Sequence, residues 1–89
     1  MAENDAQRLA LDGVTILDPD TVYIDSDVQI GQDTVIEPGV HLRGKTVIGK
    51  GCWIGPYTHI LDCQIGDECN ILMSHLKGAA LKNRVKVGP

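Results

Sequence analysis

The sequence predicts an all-β fold, a single-stranded parallel β-helix of about four coils built from six-residue repeats. Three observations predict it. An aliphatic residue returns every six positions, glycine often follows that residue, and a small or β-branched residue stands two positions before the next one. A period of six matches neither the 3.6-residue period of a helix nor the simple alternation of a strand.

The recurring aliphatic residue, called the core position below, is Ile, Leu or Val throughout the repeat region. Its spacing is six residues except for three five-residue steps, which follow Ile60, Ile71 and Leu76 and predict shortened corners. The core positions are Ile24, Ile30, Ile36, Leu42, Ile48, Ile54, Ile60, Ile65, Ile71, Leu76, Leu81 and Val87.

Each repeat is expected to form one short strand and one corner. Side chains two positions apart lie on the same face of a strand, so the core residue and the small residue before it both point inward. Three repeats then close a triangular coil, and successive coils stack as parallel strands about 4.8 Å apart. We therefore expect Ile48 and Ile54 to be buried on different sides of one coil, with Val47 outside and Lys50 on a corner.

The sequence divides into a repeat region and a preceding segment without repeats. Residues 24–89 carry the repeats, and residues 1–23 are interpreted as an N-terminal cap and linker. The segment DAQRLAL, residues 5–11, has helix-forming composition, and a short helix there would cap the first coil, as solenoid ends require.

Composition narrows the classes of function. The chain has 89 residues and a net charge of −4, which favours one small domain and argues against nucleic acid or an anionic membrane as partner. No apolar run is long enough to span a bilayer. The start, MAENDAQRLALDG, has no secretory apolar region, so a cytoplasmic location is expected.

One long stretch carries a family resemblance. RLALDGVTILDPDTVYIDSDVQIGQDTVIEPGVHLRGKTVIGKGCWIGPYTHILDCQIGD resembles the start of the β-helix in the bifunctional N-acetylglucosamine-1-phosphate uridyltransferase/glucosamine-1-phosphate acetyltransferase family, and GVTILDPDTVYID is similar to that family's linker. The resemblance covers roughly residues 8–89. It implies a left-handed β-helix, a homotrimer, and a place in the synthesis of UDP-N-acetylglucosamine for cell-wall precursors. The family's enzymes use acetyl-CoA and Mg²⁺.

The resemblance does not extend to that family's active sites. Nothing in the chain resembles the Gly-rich nucleotide loop of the uridyltransferase, and the acetyltransferase residues would follow the final VKVGP. No catalytic, cofactor-binding or metal-binding residue is therefore carried over to this sequence. The expectation is a scaffold and trimerisation module without either active site and without a cofactor of its own, and whether the chain is an enzyme is left open. The alternatives are a hexapeptide acyltransferase with a coenzyme A site between subunits and a metal protein similar to the γ-carbonic anhydrases.

Three histidines form a candidate metal site. His41, His59 and His75 each precede a core position one coil apart, so they should form a column on one outer face. Histidine is the commonest metal ligand, and γ-carbonic anhydrases bind zinc through histidines between subunits. The ligand spacing of that family is absent, however, and the alternative is a solvated or interface-packed face.

Three cysteines are assigned structural roles. Cys52 and Cys69 occupy the small inward position in adjacent coils, and Cys63 fills the corresponding place in a shortened repeat. Buried cysteine behaves as a small hydrophobic residue. An odd number of cysteines at these spacings fits neither a disulfide framework nor a paired zinc motif.

A basic group near the end of the chain is a candidate phosphate-binding set. Lys77, Lys82, Arg84 and Lys86 could meet the phosphates of coenzyme A or a nucleotide sugar. The alternative is that these side chains are solvated on the outer surface.

A tryptophan is the candidate subunit contact. Trp53 should point outward in a column with Val35, and an exposed tryptophan beside valine suggests an interface between copies of the chain. The expected assembly is a homotrimer.

Overall fold

The computed structural model describes residues 13–88, and these residues form a parallel β-helix with three sheets. A single turn of 3-10 helix, Pro19–Thr21, interrupts the first coil. The strands of the described part are β1 (Thr15–Ile16), β2 (Tyr23–Ile24), β3 (Gln29–Ile30), β4 (Val35–Ile36), β5 (His41–Arg43), β6 (Val47–Ile48), β7 (Trp53–Ile54), β8 (His59–Leu61), β9 (Gln64–Ile65), β10 (Asn70–Ile71), β11 (His75–Lys77), β12 (Ala80–Leu81) and β13 (Lys86–Val87).

The chain visits the three sheets in turn. Sheet A has the order β1-β4-β7-β10-β13, sheet B the order β11-β8-β5-β2, and sheet C the order β12-β9-β6-β3. The strand pairs within the described residues are all parallel. About four coils are stacked in this way, which confirms the predicted β-helix.

The register of the repeat is also as predicted. Ile48 on sheet C and Ile54 on sheet A are 2% and 0% exposed, whereas the preceding Val47 is 38% exposed. The small inward positions from Val28 to Cys69 are equally well buried, and they are occupied by valines, threonines and cysteines. In the last coil, Ala79 and Val85 are only partly buried. The core is therefore a column of Ile and Leu with smaller residues filling the space beside each corner.

Carboxylates from neighbouring coils hold the corner between sheets B and C. Asp25 Oδ2 accepts a hydrogen bond from the backbone N–H of Gly44 at 2.8 Å, and Asp62 Oδ1 accepts one from the N–H of Lys45 at 2.9 Å. Gly44 has a φ of +66°, and a Cβ there would collide with the Asp62 carboxylate. Gly78, with a φ of +63°, occupies the same corner one coil beyond Asp62 but has open space around it.

The three five-residue steps shorten corners and leave the strands in register. Across these steps β9 still pairs with β6, β11 with β8, and β12 with β9. Each shortened corner turns through one residue of positive φ, namely Asp62 at 53°, Met73 at 45° and Gly78 at 63°. The missing residue is thus absorbed by the corner and not by a strand.

The stacked strands already begin within the segment interpreted as the linker. β1 pairs with β4, Thr15 opposite Val35, so the first coil starts before residue 24. The cap helix expected over residues 5–11 lies outside the described residues. Within residues 13–88, no helix has the length and apolar character that crossing a membrane requires.

Candidate functional site

The outer face of sheet B carries three histidines in one stack, called the imidazole column below. His41, His59 and His75 lie directly opposite one another on β5, β8 and β11. The rings of His41 and His59 are 4.3 Å apart at an interplanar angle of 4°, and those of His59 and His75 are 4.7 Å apart at 13°. The predicted column is therefore confirmed, and its rings are stacked face to face.

Aromatic and basic side chains extend the imidazole column. The ring of Tyr23 on β2 lies 6.2 Å from that of His41, at a tilt of 44°. The guanidinium of Arg43 lies 5.0 Å from the centroid of the Tyr23 ring, within the range of a cation–π interaction. Lys77 follows on β11, opposite Leu61 of β8. This face is consequently aromatic and basic, in a protein whose overall charge is negative.

The central histidine has a perturbed pKa. Loss of water around the His59 ring lowers its pKa below the ordinary value of 6.5, and the nearby His41, His75 and Arg43 lower it further. The outer edge of His59 is exposed, but its two faces are covered by the neighbouring rings. Both influences disfavour the charged form of His59.

The stacking geometry gives no support to a shared metal ion. Because the ring planes are nearly parallel, the nitrogen lone pairs of adjacent rings lie in parallel planes and do not converge on one point. Among residues 13–88, no group of three or more His, Cys, Asp and Glu side chains is placed to hold a metal.

The outer face of sheet A and its border with sheet B carry exposed apolar side chains. Trp53 is 42% exposed and lies opposite Val35, as predicted, and its indole N–H donates to Glu37 Oε2 at 2.8 Å. Leu72 packs over Gly55 in the neighbouring coil. Together with two corner residues these side chains form a patch, called the apolar edge below. Its members are the exposed Trp53, Tyr57, Leu72 and Met73 and the partly buried Val35.

Sequence reasoning found only part of the apolar edge. Tyr57 and Met73 are 66% and 56% exposed at the corners between sheets A and B. Both have a positive φ, 58° and 45°, a conformation that glycine usually adopts. The sequence does contain a signal for this part of the patch. Gly39 occupies one corner, and the equivalent corner one coil later carries the large Tyr57.

The cysteines occupy inward positions that fit the structural role. Cys52, Cys63 and Cys69 are free and buried. The thiol of Cys52 donates to the carbonyl of Gly66 at 3.1 Å, and that of Cys69 to the carbonyl of Lys82 at 3.1 Å. Burial raises the pKa of the Cys52 thiol, which disfavours the reactive thiolate.

The basic residues near the end of the chain are spread over different faces. Lys77 lies on sheet B, Lys86 lies on sheet A, and Lys82 and Arg84 flank the corner between β12 and β13. The structure therefore does not bring the four cations together as one phosphate-binding set.

A shallow groove along the corner between sheets C and A has mixed charge. It is lined by the basic Lys50 and Arg84 and by the acidic Asp33, Asp67 and Glu68. The carboxylate of Asp67 already accepts a hydrogen bond from the backbone N–H of Lys50 at 3.0 Å. With carboxylates among its lining, the groove is a poor match for a polyphosphate.

The comparisons with known proteins agree with this architecture. Residues 45–72 match the family model described as bacterial transferase hexapeptide (six repeats). The chain is 53% identical over 77 residues to the bifunctional protein GlmU of Caldanaerobacter subterraneus subsp. tengcongensis, which covers 86% of this chain and 17% of that relative. It is 45% identical over 89 residues to the bifunctional protein GlmU of Synechococcus elongatus, covering 100% of this chain and 20% of that relative.

A third relative gives the same result. The bifunctional protein GlmU of Carboxydothermus hydrogenoformans is 50% identical over 84 residues, or 94% of this chain and 19% of the relative. The chain thus spans about a fifth of the length of the curated relatives it matches. From the hexapeptide match, the high identity over nearly the whole chain and the three-sheet solenoid, we conclude that the chain is a left-handed hexapeptide β-helix of the bifunctional GlmU family.

Proposed function

We propose that this chain serves as a non-catalytic β-helix scaffold that assembles into a homotrimer, and that these residues carry neither transferase activity of the bifunctional enzymes. The observation that carries the proposal is the apolar edge. Scattered exposed apolar residues are normal, but a contiguous group is typical of an interaction surface.

The composition of the apolar edge supports a protein–protein contact. Trp53, Tyr57 and Met73 are 42%, 66% and 56% exposed, and aromatic residues and Met are enriched at protein interfaces. The outer strand positions of sheet C, by contrast, are Gln29, Val47, Gln64 and Ala80, and Val47 is the one large apolar side chain among these four. Burial of the apolar edge against another copy would remove its largest apolar side chains from water.

The direction of the apolar edge suits a closed ring. Val35 and Trp53 lie opposite each other on stacked strands, and Leu72 follows the next strand of the same sheet, so the patch extends along the solenoid axis over three coils. Soluble oligomers usually have closed rotational symmetry. Three copies set side by side around an axis parallel to their solenoids would bury the same edge in each copy.

The absence of catalysis is supported by the distribution of charged side chains. The basic residues considered for phosphate binding lie on separate faces, and the groove beside Arg84 is lined by carboxylates. The proposal also places the protein in the cytoplasm, where the buried free thiols would stay reduced. Its context is the UDP-N-acetylglucosamine pathway of the full-length family.

Sedimentation equilibrium at tens of micromolar tests the assembly. We expect the mass of a trimer for the unmodified chain and a smaller mass for Trp53→Glu, because that substitution would bury an unpaired charge at the contact. Val47→Glu is the matched control, since Val47 is 38% exposed on sheet C, outside the apolar edge. A monomer at this concentration would contradict the proposed assembly, as would equal weakening by both substitutions.

A transferase assay tests the second half of the proposal. With acetyl-CoA and glucosamine-1-phosphate, the chain should give no protein-dependent acetylation, and with UTP and N-acetylglucosamine-1-phosphate no UDP-N-acetylglucosamine. Binding of coenzyme A to the trimer would favour the alternative, a hexapeptide acyltransferase with a site between subunits. Measurable turnover in either assay would refute the non-catalytic role.

A further inference from the structure

The three rings of the imidazole column are ionisable, and they lie so close together that positive charges on adjacent rings would repel. His59 stands between His41 and His75, with centroid distances of 4.3 and 4.7 Å. In their neutral forms these rings stack favourably. In their charged forms adjacent rings repel, since like charges at this separation disfavour the protonated state.

The other side chains facing the column do not offset that repulsion. From β5, Arg43 contributes a permanent positive charge close enough to His59 to lower its pKa. From β11, Lys77 adds a second cation, and from β2, Tyr23 adds a neutral ring beside His41.

The carboxylates near sheet B are already occupied. Asp25 Oδ2 accepts a hydrogen bond from the backbone N–H of Gly44, and Asp62 Oδ1 accepts one from that of Lys45. Asp25 also lies near Tyr23 and Arg43, which help to lower its pKa, so this carboxylate faces one end of the column. The charges that act on the His59 ring itself are those of His41, His75 and Arg43. A proton added to the central ring of His59 therefore meets cations on both sides.

We propose that the imidazole column is an acid-sensitive contact between coils. Protonation within the column weakens the packing of β8 against β5 and β11 and destabilises the solenoid in mildly acidic solution. The column joins three of the stacked coils, so repulsion within it acts on the contacts that hold the coils together. Nothing in this inference depends on the assembly proposed above.

The direction of the pH dependence follows from linkage. The pKa of His59 is lower in the folded protein than its ordinary value of 6.5, so the unfolded chain binds more protons in the interval between the two values. The full stability is present above about pH 6.5, and it is lost as pH falls through the lowered pKa of the folded state.

Melting temperatures measured from pH 7.5 to pH 5.0, at one protein concentration, test this acid sensitivity. The unmodified protein should lose melting temperature over that range, and His59→Gln should lose less because the crowded central ring is gone. Gln64→His is the matched control, since it adds a histidine in the same coil between Val47 and Ala80 on sheet C. Its pH dependence should equal that of the unmodified protein, and an equal loss in His59→Gln would overturn the proposal.

NMR titration of the histidine rings gives a second measurement, and its deciding outcome is read from the unmodified protein alone. The ring signals of His59 in the unmodified protein should titrate with a midpoint below 6.5, and His75→Gln should move that midpoint upward because one neighbouring cation is removed. A midpoint at or above 6.5 in the unmodified protein would overturn the proposal.

Discussion

Replacing Ile48 with alanine is the sharpest test of the packing described here. The change removes three carbon atoms from a side chain that is 2% exposed, and at about 0.8 kcal/mol for each buried methylene the lost transfer free energy is about 2.4 kcal/mol. Ile48 lies between Ile30 and Ile65, and its own strand β6 is paired with β3 on one side and with β9 on the other. Because that frame can collapse only partly, the remaining cavity should bring the total to about 3–4 kcal/mol, within the usual range for such substitutions.

Two neighbouring substitutions serve as controls. Val47→Ala removes two carbons from a side chain that is 38% exposed on the outer face, so its cost should stay below about 1 kcal/mol. Lys50 lies exposed on the next corner, where its backbone N–H and not its side chain bonds to Asp67, so Lys50→Ala should change stability by less than about 0.5 kcal/mol.

Urea unfolding followed by circular dichroism would measure the three differences, with every variant at the same concentration because assembly alters apparent stability. The expected order of destabilisation is Ile48→Ala far above Val47→Ala, with Lys50→Ala smallest. Strand faces alternate, so an error of one position in the register would exchange the first two. A Val47→Ala variant less stable than Ile48→Ala would refute the packing.

Two further predictions concern the corner between sheets B and C. Gly44→Ala should destabilise the protein more than Gly78→Ala. Both positions have a positive φ, which costs alanine roughly 1–2 kcal/mol, but only at Gly44 would the new Cβ also collide with Asp62. Equal losses of stability in urea unfolding would contradict this contact. The backbone N–H of Gly44 is the main cause of the lowered pKa of Asp25. The carboxylate therefore contributes stability above its unfolded pKa of about 3.9, and this contribution is lost as pH falls through the lower pKa of the folded state. Asp25→Asn should make the stability depend less on pH in acid, and an unchanged pH dependence would exclude this role.

Much of the fold could be predicted because the signal is periodic. A core residue every six positions determines which side chains point inward, and this pattern predicts Ile48 inside and Val47 outside, as the structure has them. The same periodicity placed His41, His59 and His75 in one column, because stacked coils bring equivalent positions together. Periodicity predicts position along and around the solenoid well.

Features that depend on contacts between coils were not predictable in this way. β1 lies outside the six-residue pattern because Ile24 follows Ile16 by eight positions, with a turn of 3-10 helix between them. The stacking of the histidine rings depends on side-chain rotamers, which spacing does not determine. The carboxylate of Asp62 reaches the corner of a neighbouring coil, and this partner is visible only once the coils are stacked.

The shortened corners have a consequence for how such a chain changes during evolution. After Ile60, Ile71 and Leu76 one residue is missing, yet the strands that follow keep their partners and their inward faces. A deletion within a strand would instead turn every later inward residue outward until a corner restored the phase. Single-residue insertions and deletions among relatives should therefore be concentrated at the corners, and an alignment with gaps mainly inside strands would contradict this. The chain can in this way gain or lose single residues at its corners and keep the same core.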